Sequence, residues 1–599
     1  MHRLLTAVGL CVAFITAGAG AVAQVPKVLS VARTATFDSL DPQRQFDISS
    51  NDIVSMTYNT LLRYSYLERP YKLRPDLLEQ MPQLSPDQLT YTFTLKKGIR
   101  FHDNACFPGG KGRELNSDDV LFSLRRYADA RINTKSWFAM EGAVAGLDAY
   151  RAATAKAAAG TDLSAADIEG LKRIDSQRFS IRLVKPNPLF LYALALSPTA
   201  VVAPEAVRHH QDRLSVNPVG TGPFMLANAE RKGVLRLLKN PNYHGVYPAT
   251  GAPDDAERGL LKDAGRKLPL VDVVEMPLVE EAQPAMLRFL NGEFDRQALD
   301  RANFIKMAKL VKDAGNDAVK DSAKGSSIRL NDEYAARFDL HGTPSLTVFY
   351  YAINMKDPLL GGNKLLRQAL AHLVDSPGEI DVLLNGRGHA AQSVVPLDLP
   401  GSERETGARW RGHDLMAAKR LLAEAGYPNA KGLPALTITH QNTNSATRDR
   451  SDFLRARFAQ AGVVLKSQYM DYPTFVKTTE GSNFQIADYA WNADYPDAEN
   501  FYQLLYGKNV APGPNIGSFA SAAYDKAYEA SRHMADGPQR LAHFRAMNAV
   551  LLDEAPLLLN YSPLRVSITQ KWLRNFKRNL MQPEFEFMDV DAARKAQRR

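Results

Sequence analysis

Aromatic and acidic side chains alternate in one short stretch, Asp488-Tyr-Ala-Trp-Asn-Ala-Asp-Tyr-Pro-Asp497. It follows Phe484-Gln-Ile-Ala487, which reads as a strand. A rigid aromatic beside a carboxylate offers apolar contact and a charge for an ammonium or hydroxyl donor. That is the chemistry of a ligand wall. Backbone amides and carbonyls of the same strand could pair with an extended ligand. The residues equally suit a strand end closed by a Tyr-Pro-Asp turn, and alone they leave both readings open.

Signatures of bond-making chemistry are missing from the sequence. No histidine precedes glutamate, so there is no His-Glu-x-x-His zinc helix. No Gly-Lys precedes Ser or Thr, and no Gly-x-Ser-x-Gly elbow occurs. His102-Asp103 and His209-His210 read as polar turn pairs, and Gly220-Thr-Gly222, followed by Pro223, as a structural turn. No metal site, cofactor or catalytic residue is expected, and the chain reads as a protein that is not an enzyme.

The elements that must position such a wall are strands and helices in alternation, which makes the class α/β. Thr90-Tyr-Thr-Phe-Thr-Leu95 and Phe179-Ser-Ile-Arg-Leu183 alternate as half-buried strands. Ser117 is placed to cap a helix opened by Asp118 and Asp119. Asn363 precedes a helix with Leu366, Ala369, Leu370 and Leu373 on one face. Asp414 caps another helix, which ends at Gly426. Phe453 to Ala461 reads as helix, and Val463 to Lys466 as extended. Ala152 to Gly170 is alanine-rich and reads as helix plus loop. Val246 to Leu268, with Pro, Gly and balanced charge, reads as an exposed excursion.

At 599 residues the length suggests about two to four domains. Hydrophobic residues at 45% and charged residues at 23% rule out a mainly disordered chain. The net charge of +9 is spread thinly, and no interior basic stripe suggests nucleic acid. Met1-His2-Arg3, the apolar run Leu4 to Ala19 and Ala21-Val22-Ala23 form the pattern of a secretory signal peptide cleaved after Ala23. Cleavage would leave Cys106 as a lone thiol, expected to be buried.

Several blocks, in order, resemble the periplasmic solute-binding proteins of peptide-type ABC importers, the oligopeptide and dipeptide binders of family 5. They are Asp38-Ser-Leu-Asp-Pro42, Leu73-Arg-Pro-Asp-Leu-Leu78, Thr90 to Asp103, Asp118-Asp-Val-Leu-Phe-Ser123, Pro218-Val-Gly-Thr-Gly-Pro-Phe224, Lys239-Asn-Pro-Asn-Tyr243, Tyr351-Ala-Ile-Asn354, Arg367-Gln-Ala-Leu370 and Trp491 to Asp497. The resemblance implies a type II periplasmic-binding-protein fold with two lobes, an additional inserted domain and a hinge between the lobes. Residues 24–62, 195–292 and 551–599 would form domain I, 63–194 domain II and 293–550 domain III. It also implies that Asp494 pairs with a peptide's ammonium and that Trp491 lines the cleft. Asn354 matches a position near the ligand's amino end, and Tyr495, beside Asp494, joins them as a site residue. The partners implied are a peptide or small-molecule ligand and ABC permease subunits in the inner membrane. A periplasmic monomer that binds no nucleic acid is expected. The turn Phe107 to Arg113 and the segment Val246 to Leu268 depart from the family pattern. Members also take up other solutes, so an oligosaccharide, a metal chelate or an apolar molecule stands as the alternative ligand.

Overall fold

A computed structural model describes residues 25–597 except 46, 159–160, 163–165, 312–318, 321–326, 408, 410–411 and 533. The segment read as a signal peptide lies outside the described residues. The architecture is mixed α/β, built on several separate sheets. No helix among the described residues is long and apolar enough to cross a membrane.

One core surrounds a four-stranded sheet in which Val28–Ser30 runs parallel to Val273–Pro277, followed by Val234–Lys239 and Phe224–Asn228. Leu29, Val54, Phe224, Leu237 and Trp572 pack together there, so both chain ends build one lobe. A second core lies over the sheet of Thr90–Thr94 and Arg178–Arg182, where Phe93 stacks on Phe179 at 4.9 Å. Its helix Ser117–Ala128 is capped by Asn116, one residue earlier than the sequence suggests. The Asn116 side chain accepts from the amides of Asp118 and Asp119, while Asp119 returns a bond to the Asn116 amide. Ser117 instead donates to the Asp175 carbonyl at 2.5 Å. Arg126 of the same helix makes two bonds to Asp41, at 2.8 and 2.6 Å, tying this lobe to the first.

The third and largest core holds a five-stranded sheet ordered Leu465–Tyr469, Leu436–His440, Ile486–Asn492, Thr347–Ile353 and Leu557–Leu559. The β-branched and aromatic run Thr347–Ile353 sits near its centre and is almost wholly buried. The helices capped by Asn363 and Asp414 form as expected, Lys364–Leu373 and Leu415–Glu424. The helix expected from Phe453 begins earlier, at Ser445, because Asn444 accepts from the Thr447 amide, and it runs to Ala459. The strand expected at Val463 is set back to Leu465–Tyr469.

Two segments cross between the lobes side by side. Arg296–Ala298 pairs antiparallel with Ser567–Thr569 of the strand Tyr561–Gln570. Asp295, fully buried, fixes the first crossing. It accepts from the Ser30 amide at 2.7 Å, the Trp572 indole at 2.6 Å and the Lys595 ammonium at 2.8 Å. Two antiparallel segments passing side by side between lobes are the geometry of a hinge.

Two sequence readings change. Val246 to Leu268 is no exposed excursion: Tyr247, Leu260 and Leu268 are buried against Tyr66, Leu67 and Phe587. Asp255 within it is fully buried and holds Lys577 at 2.7 Å. Its balanced charge hid an apolar side. Gly220 and Gly222 are a packing device, for a Cβ on Gly220 would lie 2.2 Å from the Thr57 carbonyl oxygen. The buried His102 ring bonds the Gly222 carbonyl at 3.0 Å, and burial lowers its pKa to about 4. His102 is thus a structural tether.

Candidate functional site

Ile486–Asn492 pairs in register with Thr347–Ile353, from Ile486 opposite Ile353 to Asn492 opposite Thr347. Past Asn492 the chain leaves the sheet, and Asp494 stands at its edge. Asn500, fully buried, locks this corner. Its Oδ1 accepts from the Asp494 amide and from the Trp491 indole, both at 3.0 Å, and its Nδ2 donates to Asp494 Oδ2 at 3.0 Å. One carboxylate oxygen of Asp494 is thereby held, and the other makes no hydrogen bond among the described residues.

Asp494 opens on a cavity of about 310 Å³. Asn492, Ala493 and Asp494 form its wall on the third core's side. The helix Ile48–Thr57, Arg63 and Tyr64 face them from the other lobe. The ionisable side chains lining it, tyrosines aside, are Asp47, Asp76, Asp494 and Glu586 against Arg63 alone. Four carboxylates facing one guanidinium favour a cation. Arg63 is already engaged by Glu586 and by the Tyr243 hydroxyl at 3.0 Å. Burial pushes the Asp494 carboxyl above its usual range; the Asn500 bond opposes this and the charge of Glu499 adds to it. Tyr64 lines the cavity and is 2% exposed, and its buried hydroxyl has no partner among the described residues, which is costly.

The structure brings Asp494 and Trp491 together, but Trp491 is not among the residues that line the cavity: its half-buried indole is fixed by Asn500 and its ring packs against the third core. Tyr495 points elsewhere. Its ring stacks on Tyr192 of the opposite lobe, centroids 5.7 Å apart, and Tyr192 stacks in turn on Tyr64 at 6.4 Å. The Tyr495 hydroxyl donates to Glu499. Asn354 is not brought to the cavity. It lies past the far end of the paired strands, roughly 20 Å from Thr347 at about 3.3 Å per residue. It is 3% exposed, and its amide donates to the carbonyls of Ser482 and Phe484 at 2.9 and 2.7 Å, which closes a local turn. Asp488 is also internal, bound by Arg450 at 2.6 Å and His440 at 2.8 Å.

Sequence reasoning missed Asn500, Tyr64 and the helix Ile48–Thr57. Asn500 lies only six residues beyond Asp494, but nothing marks it among the nearby polar residues. Tyr64 is more than four hundred residues away from Asp494 in sequence, so only folding reveals the pair.

Against known proteins, residues 72–513 match the model described as bacterial extracellular solute-binding proteins, family 5 middle. The dipeptide-binding protein of Escherichia coli K12 is 24% identical over 497 residues, covering 81% of this chain and 80% of that protein. Heme-binding protein A of Haemophilus influenzae is 23% identical over 520 residues, covering 85% and 82%. Among solved structures, the ABC transporter-associated periplasmic binding protein DppA of Helicobacter pylori, in complex with peptide STSA, superposes with a TM-score of 0.70. It is 21% identical, and the match covers 94% of this chain and 98% of that one. Likeness at this level establishes the type II periplasmic-binding-protein fold. With the family model matching well over half its length, the chain belongs to the bacterial extracellular solute-binding proteins of family 5.

Proposed function

We propose that this chain is a non-enzymatic binding protein that captures peptides or peptide-like solutes with a free amine and delivers them to an ABC permease. The observation that carries this reading is Asp494, fixed by Asn500, facing a carboxylate-rich cavity between the lobes. The names of relatives support it, one a dipeptide-binding protein and another solved with a peptide. We further propose that it works as a monomer in the periplasm after cleavage at Ala23, and that 63–194 and 293–550 form domains II and III. Trp491 would support the amine site through Asn500, and Tyr495 would act through its contact with Tyr192 across the lobes.

In this mechanism the ligand's ammonium pairs with Asp494 while the lobes close. Closure removes water, which strengthens the attraction and costs desolvation, so the pair selects for the amine more than it adds affinity. Ligand shifts the hinge only through tighter binding to the closed state, and moving from 1% to 99% closed needs about 5.5 kcal/mol of difference. Mass spectrometry of solutes co-purifying with the native protein tests the class. Thermal shift with free-amine and N-acetylated di- and tripeptides follows. Free-amine peptides should raise the melting temperature and their acetylated forms should not. Stabilisation by haemin or an oligosaccharide and by no peptide would overturn the reading.

A further inference from the structure

A second cavity, about 490 Å³, lies in the same cleft and is lined from both lobes, by Asn187 and Phe190 on one side and Gln503 and Asn509 on the other. Three rings stand between it and the Asp494 cavity. Tyr64 lines the Asp494 cavity and Tyr495 lines the second. Tyr192 is stacked between them, 6.4 Å from Tyr64 and 5.7 Å from Tyr495, with interplanar angles of 18° and 10°. Phe138 and Leu196 line both cavities, so the two adjoin around this stack.

The rings are held from both sides. The short helix Phe190–Ala193 carries Tyr192, and Phe190 and Ala193 pin it in the second core. Tyr64 is buried, and its ring meets Tyr71 edge-on at 6.4 Å. In the other lobe the Tyr495 hydroxyl donates to Glu499, which also accepts from the Tyr528 hydroxyl. Asp497, two residues on, accepts two bonds from Arg540, both at 2.7 Å. Neither Tyr192 nor Tyr495 turns aside without giving up such contacts. Because the two come from opposite lobes, their stack forms only as the lobes meet.

We propose that Tyr192 and Tyr495 form a partition that limits the length of the ligand held on Asp494. This rests on the function proposed above and narrows it to short peptides. At about 3.3–3.6 Å per extended residue, the two ring intervals match the reach of roughly three to four residues. A di- or tripeptide anchored at Asp494 ends before the far side of the stack. A longer chain must pass between the rings or around them past Phe138, which breaks the stack and holds the lobes apart. The Asp494 cavity, at about 310 Å³, sits at the lower end of the roughly 300–1,000 Å³ usual for ligand pockets, in keeping with a short occupant.

Calorimetric titration with alanine peptides from the dimer to the pentamer tests the partition. In the native protein the two shorter peptides should bind about tenfold tighter than the two longer ones, which is what the loss of one well-formed aromatic stack amounts to. Tyr192→Ala removes the middle ring and joins the cavities, so that ratio should fall to within about twofold of unity. Tyr192→Phe keeps the ring and should keep the ratio. Phe138 is 49% exposed, so Phe138→Ala disturbs the fold little and should lower the ratio in part by widening the way around the stack. Melting temperatures confirm that the variants fold, and should Tyr192→Ala not fold, Phe138→Ala alone decides. A native protein that binds all four lengths alike overturns the partition and leaves the amine site standing. An equal loss for every length in Tyr192→Ala does the same, since the stack would then be only a clasp between the lobes. If no length binds, the peptide reading falls and the partition falls with it.

Discussion

Asp494→Asn keeps the side chain's shape and its bond from Asn500 Nδ2 while removing the charge. Two unit charges about 4 Å apart attract by about 4 kcal/mol at an effective dielectric of about 20. The free Asp494 already lies half-buried, so only part of its desolvation remains to be paid on closure. Leaving a buried charge unpaired costs roughly 3–5 kcal/mol. A net loss of about 3 kcal/mol follows, which is roughly a hundredfold in Kd. The empty protein should respond in the opposite sense. Burial raises the Asp494 pKa, so the native state holds that proton more tightly than the unfolded chain. Its contribution to stability is greatest below the ordinary carboxyl range and is lost as pH rises through the raised value. At neutral pH the ionised Asp494 therefore destabilises the empty protein, and the variant should melt at an equal or higher temperature. The assay pairs calorimetric titration of a free-amine peptide with thermal melting of the ligand-free protein. Native affinity in the variant, or weak binding together with a markedly lower melting temperature, would refute the reasoning.

The same carboxyl sets a pH dependence: affinity for free-amine peptides should fall as pH drops toward the raised Asp494 pKa. It should fall again above about pH 8 as the ligand amine loses its proton, and a flat profile from pH 4 to 7 would contradict this. Asn500→Ala removes three hydrogen bonds around Asp494 and Trp491 and should cost about 1–3 kcal/mol of stability together with most of the affinity, read by denaturant unfolding and titration. Asp295→Ala removes the carboxylate that Lys595, the Trp572 indole and the Ser30 amide share, leaving the Lys595 ammonium only the Val28 carbonyl, so destabilisation of roughly 3–5 kcal/mol is expected on chemical unfolding. The Cys106 thiol, pushed up to about 11 by burial, should react slowly with a thiol reagent at neutral pH and rapidly once the chain unfolds.

Read along the chain, the sequence carried the class and the order of strands and helices. Caps at Asn363 and Asp414 are local, since side chain and amide lie within three residues, and such signals survive without tertiary context. Asp494 and Trp491 lie close together because they share one strand end, so any fold that forms the strand also sets them together. Asn354 was misplaced because a motif cannot say which end of a buried strand meets the cleft, and pairing register decides that. Val246 to Leu268 was misjudged because its packing partners, Tyr66 and Phe587, come from remote parts of the chain.

The opposite wall existed in no segment of the sequence. Tyr64, Tyr192 and Tyr495 meet only because the fold brings the lobes face to face, and the same folding leaves the Tyr64 hydroxyl without a partner among the described residues. Local propensity and alternation fix where strands and helices form, because those depend on neighbouring residues. A cleft depends on which distant surfaces face each other and which polar groups are left unpaired between them, and only the folded chain determines that.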